Sequence, residues 1–388
     1  MAKNEQIAKE QVATQVSRHL SQTRYACSSL TRVSGGSVNF VFRGVLVHPL
    51  LGAMGAIAAR TIIVKHSAAS LASNRDFLLD VSRCSHEEAM LDALGSFSPA
   101  NVSVKTPRLY LFDGEMKTQV LEDVPNAVDL TSILTSPEDS RLLAHPIATF
   151  IGRKLGSWLR AFHAWSSAPE QAALRADIAQ NEPMRKLKYQ ITYNAFVEVL
   201  ENFPEILERD KATLQDVKYM AMEEFKQLAE FDMGENCGII HGDFWAGNVL
   251  VTSATALEKQ QSEDAQQLFV IDWEFAQFGH RAYDLGQMIG DLYERKHFKD
   301  VECSIWAIQG FVEGYGGVSD EMAYRIAIHA GVHLICWYIR RAPAAPLKGT
   351  PERIIAAMEI GMDFIVRGWK KDKVWFENSV LAPLFISS

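Results

Sequence analysis

His241-Gly242-Asp243-Phe244-Trp245-Ala246-Gly247-Asn248, answered further on by Ile271-Asp272-Trp273-Glu274, carries more chemistry than any other part of this 388-residue chain. The eight residues lie between strand-like runs, Gly238-Ile239-Ile240 before them and Asn248-Val249-Leu250-Val251 closing them, and a third run, Leu268-Phe269-Val270-Ile271, leads into Asp272. An Asp followed five residues later by an Asn sets a carboxylate and an amide on one loop, and an Asp ending the next strand adds a second carboxylate from the other side. Phosphoryl transfer asks for such a set. Its transition state is stabilised mainly by positioning and charge neutralisation, so it needs a carboxylate at the attacking hydroxyl and hard oxygen ligands for magnesium on the nucleotide phosphates. Magnesium keeps several of its waters, so two protein oxygens suffice.

Outward from that stretch the periodicity changes once. After an amphipathic helix over residues 4–20, the first third reads as strands: Val38 to Val47, Thr61 to Lys65, and a hairpin of Arg108 to Phe112 and Lys117 to Leu121 around Asp113-Gly114. A helix is expected across them over 74–94. Past Pro125 the pattern becomes helical, over 145–167, 186–202, 211–231, 280–296, 301–314, 319–341 and 351–369, interrupted only by the three short runs above. The expectation is an α+β, bilobal chain. Residues 1–124 form an antiparallel sheet lobe with a helix, residues 125–388 a larger, mainly helical lobe, and an active cleft lies between them.

Composition narrows the function. Hydrophobic residues at 48% and charged ones at 22% are globular values, and 39 basic against 47 acidic side chains give a net charge of −8 without a Lys/Arg block. Nucleic-acid binding is not expected. The five cysteines are odd in number and never in a C-x-x-C pair, which points to reduced thiols in a cytoplasmic setting. Lys3, Glu5, Lys9 and Glu10 interrupt the apolar residues of the N-terminus, so no secretion signal is expected there, and the most apolar later stretch, Leu50 to Ala59, is too short to span a bilayer, so no membrane is expected as a partner. Neither a G-x-x-x-x-G-K-[ST] loop nor a G-x-S-x-G elbow occurs.

The H-G-D-x-x-x-x-N loop followed by I-D-W-E resembles the aminoglycoside phosphotransferase and choline kinase group of small-molecule kinases, relatives of the protein kinases in fold. The resemblance implies a protein-kinase-like fold and ATP with Mg2+ as cofactors. By position, it makes Asp243 the catalytic base, Asn248 and Asp272 the metal ligands and His241 a structural brace, with a supporting role for Glu274. Val33-Ser34-Gly35-Gly36-Ser37-Val38-Asn39 resembles the nucleotide-covering turn of that group, so Ser34, Gly35, Gly36 and Asn39 are expected at the phosphates. Lys65 matches the strand lysine that contacts phosphates, and Glu87 its helix partner, with Glu88 as rival. Gln119-Val120-Leu121-Glu122-Asp123-Val124 resembles the inter-lobe linker, where backbone groups of Glu122 and Val124 meet adenine. Leu155 to His163 resembles the core helix before the catalytic loop, and Asp284 of Tyr283-Asp284-Leu285-Gly286 the acid that braces that loop.

Within the group, S-G-G-x-x-N, I-V-K-H, E-D-V and I-D-W-E-x-x-x-x-G look most like methylthioribose kinases and fungal 4-hydroxytryptamine kinases. Cys336 and Trp337 align with the paired arginines of the sugar kinases, and Arg340 and Arg341 follow one turn later. An aromatic side chain at that place suits a flat or cationic acceptor. The leading acceptor is therefore a hydroxylated aromatic amine, met by Trp245, Asp291 and Trp337. A methylthioribose-type sugar kinase, an aminoglycoside phosphotransferase, a catalytically silent nucleotide-binding module and a metal-dependent hydrolase are the alternatives. ATP against GTP and the oligomeric state stay open.

Overall fold

The computed structural model describes the chain except for residues 1, 34–38, 53–56, 70–77, 100–103, 137–142, 229–233, 253–266, 339–348 and 387–388. Ser34, Gly35 and Gly36 of the expected phosphate turn, and Arg340 and Arg341, lie outside the described residues. The chain divides into two compact units, one of residues 1–96 with 106–125, the other of 97–105 with 126–388. The segment 97–105, read in the sequence as part of the first region, packs with the second.

The first unit is a five-stranded antiparallel sheet in the order β1-β2-β3-β6-β5, with β1 Cys27–Arg32, β2 Phe40–Leu51, β3 Ile57–His66, β5 Leu109–Asp113 and β6 Thr118–Glu122. Alternation sorts its two faces. Phe40, Phe42, Ile62, Val64 and Val120 pack with Val16 and Leu20 of helix α1 (Ala2–Leu20) to make the core of this unit. The opposite face carries Lys65 and Gln119, paired in register, and Gln119 donates to the Cys84 carbonyl of helix α2 (Arg83–Leu94) at 3.2 Å. Because β3 lies between β2 and β6, Lys65 sits on an interior strand with little room to shift.

In the second unit, helix α3 (His145–Ser167) crosses helix α7 (Cys303–Tyr315) on glycine. A Cβ at Gly152 would stand 2.1 Å from the Ala307 carbonyl oxygen, one at Gly156 2.0 Å from that of Phe311, and one at Gly310 2.0 Å from that of Thr149. The backbones touch directly, and side chains on either side interlock. Helices α4 (Glu182–Ile191), α5 (Lys211–Gln227), α6 (Ala282–Lys299), α8 (Asp320–Tyr338) and α9 (Pro351–Trp369) supply most of the remainder. The single helix expected over 186–202 is two: α4 stops at Thr192, whose φ −121° and ψ −96° are not helical and whose hydroxyl donates to the Lys188 carbonyl at 2.6 Å, and a short helix resumes at Phe196–Leu200.

Two small sheets are embedded among these helices. One runs β4-β10-β9-β7 (Val104–Lys105, Leu268–Val270, Val249–Thr252, Ala127–Asp129), the other pairs β11 (Gln277–His280) with β8 (Cys237–Ile240). β8 leads into the 241–248 loop and β9 out of it, while β10 leads into Asp272 and β11 follows it. Since β9 pairs with β10 and β8 with β11, the loop and the 271–276 segment are forced to run side by side. Among the described residues, no helix is long and apolar enough to cross a membrane.

Candidate active site

Side chain to backbone bonds shape the 241–248 loop. The Asp284 carboxylate, at the start of α6 and completely buried, accepts the backbone N–H of His241 at 2.8 Å and of Gly242 at 3.0 Å, and the ring of His163 at 3.3 Å. Burial alone pushes its pKa up. The His163 hydrogen bond and charge, with His241 nearby, outweigh burial and hold it below the usual carboxylate range. His241 donates from Nε2 to the Ile271 carbonyl at 3.0 Å and accepts the Asp243 N–H at Nδ1, 3.3 Å, so both nitrogens are engaged in the neutral form. Burial lowers its pKa accordingly.

Gly242 has φ +77°, and a Cβ there would meet the Phe275 carbonyl oxygen at 2.2 Å, so glycine is required by both conformation and space. Phe244 anchors the floor. It is fully buried, stacked between Trp158 at 6.2 Å and Phe311 at 6.2 Å, and Trp273 packs beside it against Phe162 at 5.1 Å.

On this frame Asp243 is half-buried, and its carboxylate accepts three N–H donors: Gln287 Nε2 on Oδ1 at 2.6 Å, Asn248 Nδ2 on Oδ2 at 3.0 Å and Trp245 Nε1 on Oδ2 at 3.2 Å. Asn248 Nδ2 also reaches the Asp243 carbonyl at 2.9 Å, which leaves the amide oxygen of Asn248 as the atom it offers to a ligand. The Ile271 N–H donates to the Asn248 carbonyl at 3.0 Å, and this bond sets Asn248 beside the strand end that carries Asp272. Asp272 has φ 69° and ψ 62°, left-handed for a non-glycine residue. Hard oxygens of an amide and a carboxylate, on neighbouring strand ends, are a donor set that suits magnesium.

In the first unit, Lys65 Nζ meets Glu87 Oε1 at 2.7 Å with both side chains buried, so Glu87 takes the ion pair for which Glu88 was the rival. Asn39, expected at the phosphates, accepts from Arg83 at 3.0 Å, and Arg83 also holds the Asp80 and Ala68 carbonyls. The Glu122 N–H is donated to the Arg108 carbonyl at 2.8 Å, so of its backbone groups the N–H is already engaged, and Val124 is buried.

The expected acceptor residues are placed less uniformly. The Trp245 indole N–H is bonded to Asp243 itself. Asp291 is fully buried, ion-paired to Arg295 at 2.8 Å and accepting the Ala246 N–H at 3.3 Å, a loop-bracing position like that of Asp284. One of its oxygens lies within 4.8 Å of a carboxylate oxygen of Glu294 and of a ring nitrogen of His333. Trp337 is half-buried and stacks on His333 at 5.2 Å, with Lys188 Nζ 5.9 Å from its ring centre. Cys336 is buried in the core, donating to the Thr192 carbonyl. Glu274 is buried, and Asn181 donates to its backbone carbonyl at 3.2 Å and to that of Ala276 at 2.8 Å. Sequence reasoning did not mark Gln287, Lys188, Asn181 or Arg83, since a single polar residue in a helix or turn carries no local signal.

Residues 68–315 match the model of the phosphotransferase enzyme family, and the chain belongs to that family: it is a small-molecule kinase. It is 30% identical over 387 residues to the phosphotransferase FrzJ of Cladobotryum sp., covering 96% of each chain. It is 24% identical over 336 residues to the 4-hydroxytryptamine kinase of Psilocybe cubensis, covering 84% of each. Among solved structures, a choline/ethanolamine kinase family protein from Mesorhizobium loti superposes with a TM-score of 0.51 at 12% identity, over 97% of this chain and 100% of that one, which supports the fold.

Proposed function

We propose that this kinase transfers the γ-phosphate of ATP, with Mg2+, to a hydroxyl of a hydroxylated aromatic amine. One observation carries the reading: a half-exposed Asp243 carboxylate, oriented by three N–H donors, stands on the same loop as Asn248 and beside the strand end of Asp272. In this reading the acceptor O–H donates to Asp243, its proton passes to that carboxylate, and the acceptor oxygen bonds to the γ-phosphorus as the bond to the β–γ bridging oxygen breaks. Asn248 and Asp272 would hold the magnesium, which would supply positive charge to offset that of the phosphates. Lys65, steadied by Glu87, and the turn through Ser34, Gly35, Gly36 and Asn39 contact the phosphates, and the Glu122 carbonyl and Val124 N–H meet adenine. His241 and Asp284 hold the loop, and Glu274 supports the turn after Asp272.

For the acceptor, two sources support an aromatic amine. Asp291 and Glu294 bring two carboxylates to one guanidinium, Arg295, and His333, grouped with both carboxylates, stacks on the Trp337 ring, an environment that favours a cation with a flat body. The relative from Psilocybe cubensis is named for a hydroxylated aromatic amine.

The test is ATP consumption with a mass readout of product, across 4-hydroxytryptamine, methylthioribose, choline and an aminoglycoside. A phosphorylated aromatic amine is expected, and Asp243→Ala should lower turnover by about 10²–10⁴-fold with nucleotide affinity retained. Preferred phosphorylation of methylthioribose would overturn the acceptor class. Near-normal turnover in Asp243→Ala would overturn the base.

A further inference from the structure

Gln287 lies on α6 one turn beyond Asp284 and Lys188 near the end of α4, and both are buried, Gln287 at 0% and Lys188 at 2% exposure. Lys188 Nζ donates to Gln287 Oε1, and Gln287 Nε2 donates to Asp243 Oδ1 at 2.6 Å. A primary amide can present either end to a neighbour, and beside a carboxylate the wrong end places oxygen against oxygen. An ammonium has donors only, so it accepts no end of the amide except the oxygen. Lys188 thereby fixes which way round Gln287 stands, and the NH2 group is left pointing at Asp243.

The occupancy of the carboxylate gives this orientation a chemical meaning. Oδ2 already accepts two N–H groups, from Asn248 and Trp245, whereas Oδ1 accepts one, from Gln287. With about two lone-pair sites on each oxygen, Oδ1 is the one with room for a further O–H. We infer that Lys188 and Gln287 are positioning residues that hold Oδ1 of Asp243 as the proton-accepting atom of the reaction. The inference rests on Asp243 being the base, as proposed above. Neither residue touches the reacting atoms. Gln287 acts through Asp243 and Lys188 through Gln287.

The test uses the full chain and Mg·ATP hydrolysis with water as the acceptor, so no organic acceptor need be known. Lys188→Met and Gln287→Leu should each lower kcat about 10–100-fold with KM for ATP within about twofold, while Lys188→Arg, which keeps a donor-only cation, should recover most of the loss. A ligand-free readout runs beside it. Trp245 shares Asp243 with Gln287, and its indole N–H should be assignable among the eight tryptophans by a Trp245→Phe variant. That resonance should move in Lys188→Met and return in Lys188→Arg. Wild-type kcat and an unmoved Trp245 resonance in Lys188→Met and Gln287→Leu, in preparations where Asp243→Asn has lost its activity, would overturn the positioning role and leave the kinase reading standing. Full hydrolysis by Asp243→Asn would remove the base and the inference together. If Lys188→Met does not fold, Gln287→Glu keeps a partner for Lys188 but withdraws the donor from Asp243. It should then lose kcat by at least as much as Gln287→Leu, and wild-type kcat would overturn the role.

Discussion

Lys65 and Asp243 are held in opposite ways. Lys65 stands on an interior strand whose register is set by neighbours on both sides, and a buried ion pair with Glu87 holds its side chain. Asp243 stands on a loop without regular structure, positioned by Asp284 on the backbone, His241 against Ile271, and three donors on its own carboxylate. The contrast teaches that on the sheet the charged pair can be exchanged as a whole with the frame intact, whereas at the loop folding and chemistry share the same bonds.

The sharpest way to break that contrast is at Asp284. Asp284→Ala leaves two backbone N–H groups and the His163 ring without their buried acceptor, a loss of roughly 3 kcal/mol or more, together with most of the turnover. Urea unfolding and ATP consumption on one preparation check it, and a stable but inactive variant would separate what is here joined. Gly242→Ala comes next: strain at positive φ of about 1–3 kcal/mol, added to the clash with Phe275, should displace the loop and cut kcat severely with Lys65 undisturbed. Lost turnover, with any loss of nucleotide affinity confined to its Mg2+-dependent part, is the expected signature.

At Lys65 the expectation is different. Lys65→Met strands a buried carboxylate and should destabilise by about 3 kcal/mol, whereas Lys65→Met combined with Glu87→Gln should recover much of that loss while ATP affinity remains poor. A double variant no more stable than the single one would show that the sheet frame depends on the pair. The smallest effect concerns pH. Burial lowers the His280 pKa from 6.5 to about 3, and its Nδ1 accepts the Ala282 N–H at 3.2 Å. The unfolded chain therefore binds the proton first, and the stability from this residue, full above about pH 6.5, is lost as pH falls towards about 3. His280→Asn keeps an acceptor without that titration and should flatten the fall by up to about 1.4 kcal/mol per pH unit, read from unfolding between pH 6.5 and 5.

Much of this was open to reading in the sequence wherever a residue's task is declared by its neighbours in the chain. Helix α3 was expected over 145–167 and runs His145–Ser167, because its apolar stripe is long and uninterrupted. Asp243, Asn248 and Asp272 stood out because their spacing is local to two strand ends. What stayed hidden is paired across distance. Lys188 and Gln287 are 99 positions apart and each looks like an ordinary polar residue until the fold brings them together, and Arg83, 44 positions from the Asn39 it meets, is as silent. β1 also escaped notice. Its residues are mostly exposed, with only Cys27 and Leu30 half-buried, as befits an edge strand, whose composition need not be apolar.

The crossing of α3 and α7 on glycine has a consequence for how variation is tolerated. A seam where main chain rests on main chain has no slack to absorb even a methyl group, and Phe311, whose carbonyl abuts Gly156, is also the ring on which Phe244 lies. A single added carbon at Gly156 would therefore be transmitted as a tilt of the platform beneath Asp243, and a remote packing fault would show itself in the assay as a defect of the reaction.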